Sequence, residues 1–234
     1  MSKILDKSLT IVVPCFNEES NLDRSYQEIK KSLKKSKIKK HEIIFIDDCS
    51  KDKTLVKIKK ITKQDKRTKF IINKKNLGLG ASVLKGYKMS KSNYCTYVPG
   101  DNSHPNKGLS MIYKNIDHFG TTIIPFVADK SSRNYFRVIL SSLYTLVVNF
   151  IFRLNIPYYN SLCVYPTKEI VKLKLISKGF SFQSEIIIRL VKKKLKYKLV
   201  KTILKENKQF FTSALKLSSL KSVFSSIIKL RVKI

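Results

Sequence analysis

Residues 42–54 read EIIFIDDCSKDKT. Glu42–Ile46 (EIIFI) is a short run rich in β-branched and aromatic side chains, the pattern of a strand. The run stops at two adjacent carboxylates, Asp47 and Asp48. Upstream, Leu9–Val13 (LTIVV) is a second such run, ended by Pro14 and followed by Asn17 and Glu18. Between the two, Ser20–Asp23 has the form of a capping box. Leu22, Tyr26, Ile29 and Leu33 then recur at steps of four, three and four, one face of a helix. Lys30–Lys40 closes that helix and enters the next loop. Downstream, Leu55, Ile58 and Ile61 mark another helix, and Phe70–Ile72 a short strand. A Gly-rich turn, Asn76-Leu77-Gly78-Leu79-Gly80, opens a third helix through Met89. Tyr94–Val98 is a fourth strand, ending in Pro99-Gly100-Asp101. Strands alternating with helices in this way predict an α/β domain with a mostly parallel, Rossmann-like sheet flanked by helices.

The pattern loosens past residue 120. Thr122–Val127 reads as a strand and Tyr135–Arg153 as a helix. Lys168–Ile176 and Phe182–Lys194 read as helices, and Tyr197–Leu204 as a strand. No repeat and no Gly/Ser/Pro linker divides the chain, so a single domain is expected.

The chain carries 48 Lys+Arg against 16 Asp+Glu, a formal charge of +32. Such a surface seeks polyanions: nucleic acid, acidic headgroups or phosphorylated substrates. Twelve of the sixteen acids lie in residues 1–120, so the carboxylates there are the residues to follow. Cys15, Cys49, Cys95 and Cys163 are widely spaced and form no zinc pattern, which reads as reduced thiols in a cytosolic protein. The N-terminal segment lacks the apolar stretch of a signal peptide. The longest apolar run, Val138–Phe152, falls short of the ~20 residues that span a bilayer, so the chain is expected not to be integral.

Ligands of open parallel sheets bind beyond the carboxyl ends of the strands. Three of the strands end in polar clusters: Pro14, Asn17 and Glu18; Asp47 and Asp48; and Asp101 with Asn102, Ser103 and His104 behind it. Together these supply the acceptors and oxygen ligands that a ribose, a base edge and a metal-bound diphosphate require. Gly78-x-Gly80 lacks the third glycine of a dinucleotide fingerprint, and no P-loop exists. His41 and His118 stand alone.

The stretches IVVPCFNEESNL (11–22), EIIFIDDCSKDKT (42–54), NLGLGASVLKGY (76–87), YVPGDNSHP (97–105) and GFSFQSEIIIRL (179–190) resemble the family 2 glycosyltransferases. The nearest group is similar to the dolichyl-phosphate mannose synthase and bacterial polyprenyl-phosphate glycosyltransferase branch, and the resemblance covers about residues 8–205. It implies a GT-A fold, a UDP- or GDP-sugar donor, Mg²⁺ or Mn²⁺, and inversion at the anomeric carbon. Carried over by position, it implies that Pro14, Asn17 and Glu18 line the nucleotide pocket. Asp47 or Asp48 would contact base or ribose, and the turn of Asn76, Gly78 and Gly80 would pack beside the nucleotide. Asp101 would ligate the metal with help from Ser103, and Glu185 would order the acceptor side.

Two departures stand out. Pro99 replaces the first Asp of the family's Asp-x-Asp, and Asn160 stands where many relatives carry an Asp. If that Asp is a general base elsewhere, Asn160 cannot be one. A hydroxyl acceptor needs a base, whereas a phosphate monoester is already largely ionised near neutral pH. Arg133 and Arg137, four apart and on one helix face if that stretch is helical, would hold such a phosphate.

The C-terminal residues 206–234 are expected to form a basic amphipathic tail. Leu220, Val223, Phe224, Ile227 and Ile228 make one apolar stripe, the pattern of a helix lying in a bilayer interface. The sequence therefore predicts a cytoplasmic transferase, peripheral on the inner face of an anionic membrane, with a polyprenyl phosphate acceptor. Two rivals are a basic nucleic-acid-binding protein, for which no binding motif is present, and an inactive transferase-fold subunit.

Overall fold

The structure, a computed structural model, describes residues 5–127, 135–177, 179, 181–204, 227 and 230–232. Its centre is β1 (Leu9–Cys15), all seven residues of which are buried. A strand covered on both faces has no solvent side to alternate with, so it reads as a continuous apolar run. The strand continues through Pro14, which lies opposite Ile46. β1 pairs in parallel with β2 (His41–Asp47) on one side and with β4 (Tyr94–Tyr97) on the other. β3 (Thr68–Ile72) adds in parallel beyond β2, and the short antiparallel β6 (Tyr165–Pro166) lies beyond β4. The order is β3-β2-β1-β4-β6. A second, parallel pair joins β5 (Thr122–Val127) to β7 (Tyr197–Thr202). A bridge between Ile123 and Val164 connects it to the segment leading into β6.

Helices cover these strands by the faces the sequence marks. α1 (Leu22–Lys35) buries Leu22, Ile29 and Leu33, and α2 (Thr54–Gln64) buries Ile58 and Ile61. α3 (Leu79–Lys88) follows the Gly-rich turn. Asn21 precedes α1 without a side-chain cap bond, so the expected capping box does not form. The remaining helices are α4 (Asn106–Tyr113), α5 (Tyr135–Phe152), α6 (Thr167–Ile170) and α7 (Phe182–Lys192).

Three elements differ from the sequence reading. The helix expected over 168–176 stops at Ile170. The amides of Ile176 and Ser177 donate to the Glu185 carboxylate, which a continuing helix would not allow. α4 escapes the sequence because eight residues hold too few turns to show a period. It begins after Pro105, and its Gly108 is required by packing: a Cβ there would lie 2.3 Å from the Ile203 carbonyl oxygen. β6 is two residues long and carries no pattern of its own. The boundary expected at 205/206, and most of the C-terminal stripe, lie outside the described residues. Of that stripe Ile227 is described; it is buried in the core, as is Leu230.

Candidate active site

The strand order reverses at β1, because β2 and β3 lie on one side of it and β4 on the other. A crevice opens at such a switch point, beyond the carboxyl ends of the strands. Here the crevice is stitched to β1 by consecutive carbonyls. The Pro14 carbonyl accepts from the Gly100 amide at 3.2 Å, and the Cys15 carbonyl accepts from the Asp48 amide at 2.8 Å. A Cβ at Gly100 would stand 3.1 Å from Cys15 Sγ, so the ends of β1 and β4 cross closely. The Pro99 carbonyl accepts from Ser25 Oγ of α1 at 3.1 Å.

The loops after β1 and β2 are laced together. Asn17 N donates to Ser50 Oγ, and its side-chain oxygen accepts from the Lys51 amide at 2.8 Å. Glu18 N donates to Thr54 Oγ1 at 2.7 Å, and Glu19 N donates to Asp52 Oδ2. Asn17, Cys49 and Asn102, one in each loop following β1, β2 and β4, hold φ of 57°, 66° and 58°. The left-handed region is costly for side chains other than glycine, and Asn tolerates it best. The same region recurs at Lys37, Arg153 and Lys194, each just past a helix end, so what distinguishes the rim is that all three of its loops use it.

The two adjacent acids have different jobs. Asp48 accepts from Asn73 Nδ2 at 2.8 Å, from Leu77 N at 2.9 Å and from Gly78 N at 2.8 Å. It thereby ties the end of β2 to the Gly-rich turn. Gly78, at φ 81° and ψ 165°, occupies a conformation open to glycine alone. Asn76 supports the same amide through its Oδ1 at 3.1 Å. Gly80 is buried in the first turn of α3. The Asn73 side chain extends this network to Ser82 and Lys85. Asp47 is 2% exposed, and among the described residues its Oδ1 has no hydrogen-bond partner. A buried carboxylate oxygen left unsatisfied at a crevice is a candidate for contact with a ligand. The sequence left Asp47 and Asp48 as alternatives; the geometry gives Asp48 the turn and leaves Asp47 open.

Asp101 sits on the β4 side of the crevice. Ser103 donates to its Oδ1 through both the amide, at 3.0 Å, and the hydroxyl, at 2.6 Å. Ser103 thus orients the carboxylate, and among the described residues both of these bonds fall on Oδ1. Burial lifts the pKa of Glu18 above the ordinary glutamate value, against a lowering bond from Asn21, and the charges of Asp101 and Asp52 lift it further. Burial also pushes the Cys15 thiol up, and the carboxylates of Glu18, Asp47, Asp101 and Asp52 add to it. Four acids therefore focus negative potential on one point of a chain with charge +32, which favours a cation there. Among the described residues no three His, Cys, Asp or Glu side chains form a metal cluster. Asp101, a carboxylate oriented by Ser103, is the residue here that would hold a divalent ion of the oxygen-seeking kind.

His104, Tyr158 and Asn160 line one small cavity beside this loop, with Gly108 and Pro125. Asn160 is thus brought to the Asp101 side of the molecule. Glu185 is not open to a substrate: it is 1% exposed and accepts from the amides of Ile176 and Ser177 and from Arg189 Nε at 2.8 Å. It clamps the turn after α6 to α7. Gln183, which the sequence reading passed over, accepts from the Tyr97 hydroxyl at 3.1 Å and donates to the Ser161 carbonyl. It joins β4, α7 and the Asn160 loop, and no sequence signal short of the fold itself would have shown it. Arg133 lies outside the described residues, as does the side chain of Arg137 on α5.

The profile of glycosyl transferase family 2 matches residues 10–180. The chain belongs to this family. The matched span contains every crevice residue described above. The dolichol-phosphate mannosyltransferase of Saccharomyces cerevisiae is 28% identical over 138 residues, which are 57% of this chain and 52% of the yeast protein. The dolichyl-phosphate beta-glucosyltransferase of Dictyostelium discoideum is 32% identical over 110 residues, 44% of this chain and 34% of its own. The chain thus spans about half or less of the length of these curated relatives. Among solved structures, Mycobacterium tuberculosis glucosyl-3-phosphoglycerate synthase in complex with phosphoglyceric acid superposes with a TM-score of 0.68 at 12% identity, covering 96% of this chain and 80% of that one. The mannosyltransferase PcManGT of Pyrobaculum calidifontis, in complex with GDP-Man and Mn²⁺, gives 0.62 at 10% identity, covering 94% and 64%. At such identities the likeness is one of fold, and the fold is the GT-A type.

Proposed function

We propose that the chain transfers a sugar from a nucleoside-diphosphate sugar to a lipid-linked phosphate, with inversion at the anomeric carbon and with Mg²⁺ or Mn²⁺ bound. The observation that carries this reading is the convergence of Asp47, Asp101 and Glu18 on the crevice at the β1 switch point, with Asp101 oriented by Ser103 through Oδ1. Asp47 would accept from the base or ribose, and the turn that Asp48 holds would close over the nucleotide. Asp101 would hold the metal, which when bound neutralises the charge developing on the leaving diphosphate. Asn17 and Pro14 shape the crevice through backbone and loop contacts.

The acceptor side is read from what is absent at Asn160. An amide cannot take a proton from an attacking hydroxyl, but an ionised phosphate needs only orientation and charge stabilisation. Arg133 and Arg137 would supply both, and the Glu185 clamp would keep the α7 side of the site in register. The relatives whose names carry dolichol phosphate support this acceptor class. A phosphate on a lipid requires the enzyme at a membrane surface, hence a peripheral protein on the cytoplasmic face, with 8–205 as transferase domain and 206–234 as a basic tail. A specific nucleic-acid partner is not expected.

The test is a thermal-shift screen of UDP- and GDP-sugars with and without Mn²⁺, followed by transfer of labelled sugar to a polyprenyl phosphate. A donor that raises the melting temperature by mass action and labels the lipid is the expected result. Pro99 and Asn160 keep an inactive subunit as the second reading. Donor binding without transfer to any phosphate or hydroxyl acceptor would establish that one instead.

A further inference from the structure

α5 packs by one face only. Val148 and Phe152 are buried, Tyr144 donates to Ser184 of α7 at 2.7 Å, and Tyr144 meets Tyr159 edge-on at 6.5 Å between centroids. Tyr135, Ile139, Leu143, Leu146 and Phe150 are 79, 47, 55, 65 and 84% exposed. At about 100° per residue these five fall within an arc of about 80°, on the side opposite Tyr144 and Val148. They form an apolar stripe about 22 Å long at 1.5 Å per residue. Isolated exposed apolar residues need no explanation, but an aligned row marks an interaction surface.

We propose that the α5 stripe is the surface by which the protein docks on an anionic bilayer. This rests on the membrane-bound acceptor of the function proposed above. Charge selects the occupant. α5 contains no acid, Arg153 is exposed just past its C-terminal end, and residues 121–234 carry 22 Lys+Arg against four Asp+Glu. Cations around an apolar face are attracted to acidic headgroups while the face enters the acyl boundary. A second copy of the chain fits worse, because it brings another +32. Five residues on one helix also fall well short of the ~20–30 per side of a standard protein interface. No helix among the described residues is long and apolar enough to cross a membrane, so α5 would lie in the plane. Of the C-terminal stripe, the one described residue, Ile227, is buried in the core rather than facing outward.

The chain has no tryptophan, so one introduced residue reports its own surroundings. The full chain carrying Phe150→Trp is compared with Val56→Trp on α2, which packs against β3 at the opposite edge of the sheet. Each is mixed with phosphatidylcholine vesicles, with and without phosphatidylglycerol, at low and raised salt. Expected is a blue shift at position 150 with anionic vesicles, quenching by brominated acyl chains, reversal by salt, and no change at position 56. Leu143→Glu with Leu146→Glu should cut vesicle partitioning at least about tenfold while melting temperature and donor-induced shift persist. Vesicle binding that leaves position 150 unshifted, or survives the double substitution, overturns the proposal, and so does the absence of vesicle binding. A blue shift that grows with protein concentration without vesicles overturns it in favour of a second copy. The donor response of the same variants reads the transferase assignment separately. Its loss alongside stripe-dependent vesicle binding would remove that assignment and leave the docking surface standing.

Discussion

The molecule before residue 120 and the molecule after it solve different problems. The first region holds twelve of the sixteen acids, and apart from Asp47 they are engaged. Asp48 fastens the Gly-rich turn, Asp52 and Glu19 lace two loops, and Asp65 binds Tyr26, Lys30 and Arg67. The later region has few acids to engage. Its longest helix leaves one whole side apolar and uncovered. The contrast teaches that the first region is specified for a small charged ligand and a rigid rim. The second presents a broad apolar surface along α5.

The comparison breaks most sharply at Asp101. Asp101→Asn should abolish Mn²⁺-dependent donor binding, a loss beyond the ~10–100-fold typical of groups that only support a ligand, with the melting temperature held. Ser103→Ala, which removes such support, should fall inside that range. Isothermal titration with and without metal measures both, and metal-dependent binding that survives in Asp101→Asn would move the metal elsewhere.

Next come the neighbouring acids. Asp48→Asn leaves buried amides facing a poorer acceptor and should lower stability by about 1–3 kcal/mol, read by denaturant unfolding. Asp47→Asn should leave stability nearly unchanged and weaken nucleotide binding even without metal. The opposite pattern would exchange their roles.

Gly108→Ala tests whether the second region is as tightly built where it meets the first. Its Cβ would meet the Ile203 carbonyl oxygen at 2.3 Å, so a loss of about 1–3 kcal/mol is expected. An unchanged unfolding midpoint would show that the α4–β7 contact yields.

The smallest effect is the acid limb of stability. Burial opposes charge on Asp65, but bonds from Lys30, Arg67 and Tyr26 outweigh it and hold its carboxyl well below the usual carboxylate range. A depressed folded pKa contributes stability that is complete above the unfolded value of 3.8 and is lost as pH falls toward the folded one. Asp65→Asn should therefore flatten stability against pH below about pH 4, while leaving donor binding at neutral pH intact.

The difference between the regions also explains what could be read in advance. β1, β2 and β4 are covered on both faces, so their apolar runs stop sharply at Pro14, Asp47 and Pro99, and those stops expose the site. The division between Asp47 and Asp48 could not be read, because it depends on which carboxylate meets the amides of Leu77 and Gly78, thirty residues away. Glu185 was recognised by its motif, but its role as a clamp follows from a turn whose helical appearance was misleading. α4, at the end of the first region, and β6, in the later one, are too short to carry a period. The uncovered face of α5 is invisible to a pattern that records apolar residues without recording what covers them.

Because the Pro14 and Cys15 carbonyls receive the Gly100 and Asp48 amides, the crevice does not exist as a local feature of any one segment. A nascent chain holding β1 and β2 alone would have the strand-two acids in place but not Asp101. Donor recognition would switch on only when the residues around Gly100 dock against β1. In the finished protein the same two bonds couple the halves of the rim. A ligand drawing the loops together should slow solvent exchange at the amides of Asp48 and Gly100 in concert, so that occupancy of the crevice is felt as a stiffening of the central strand.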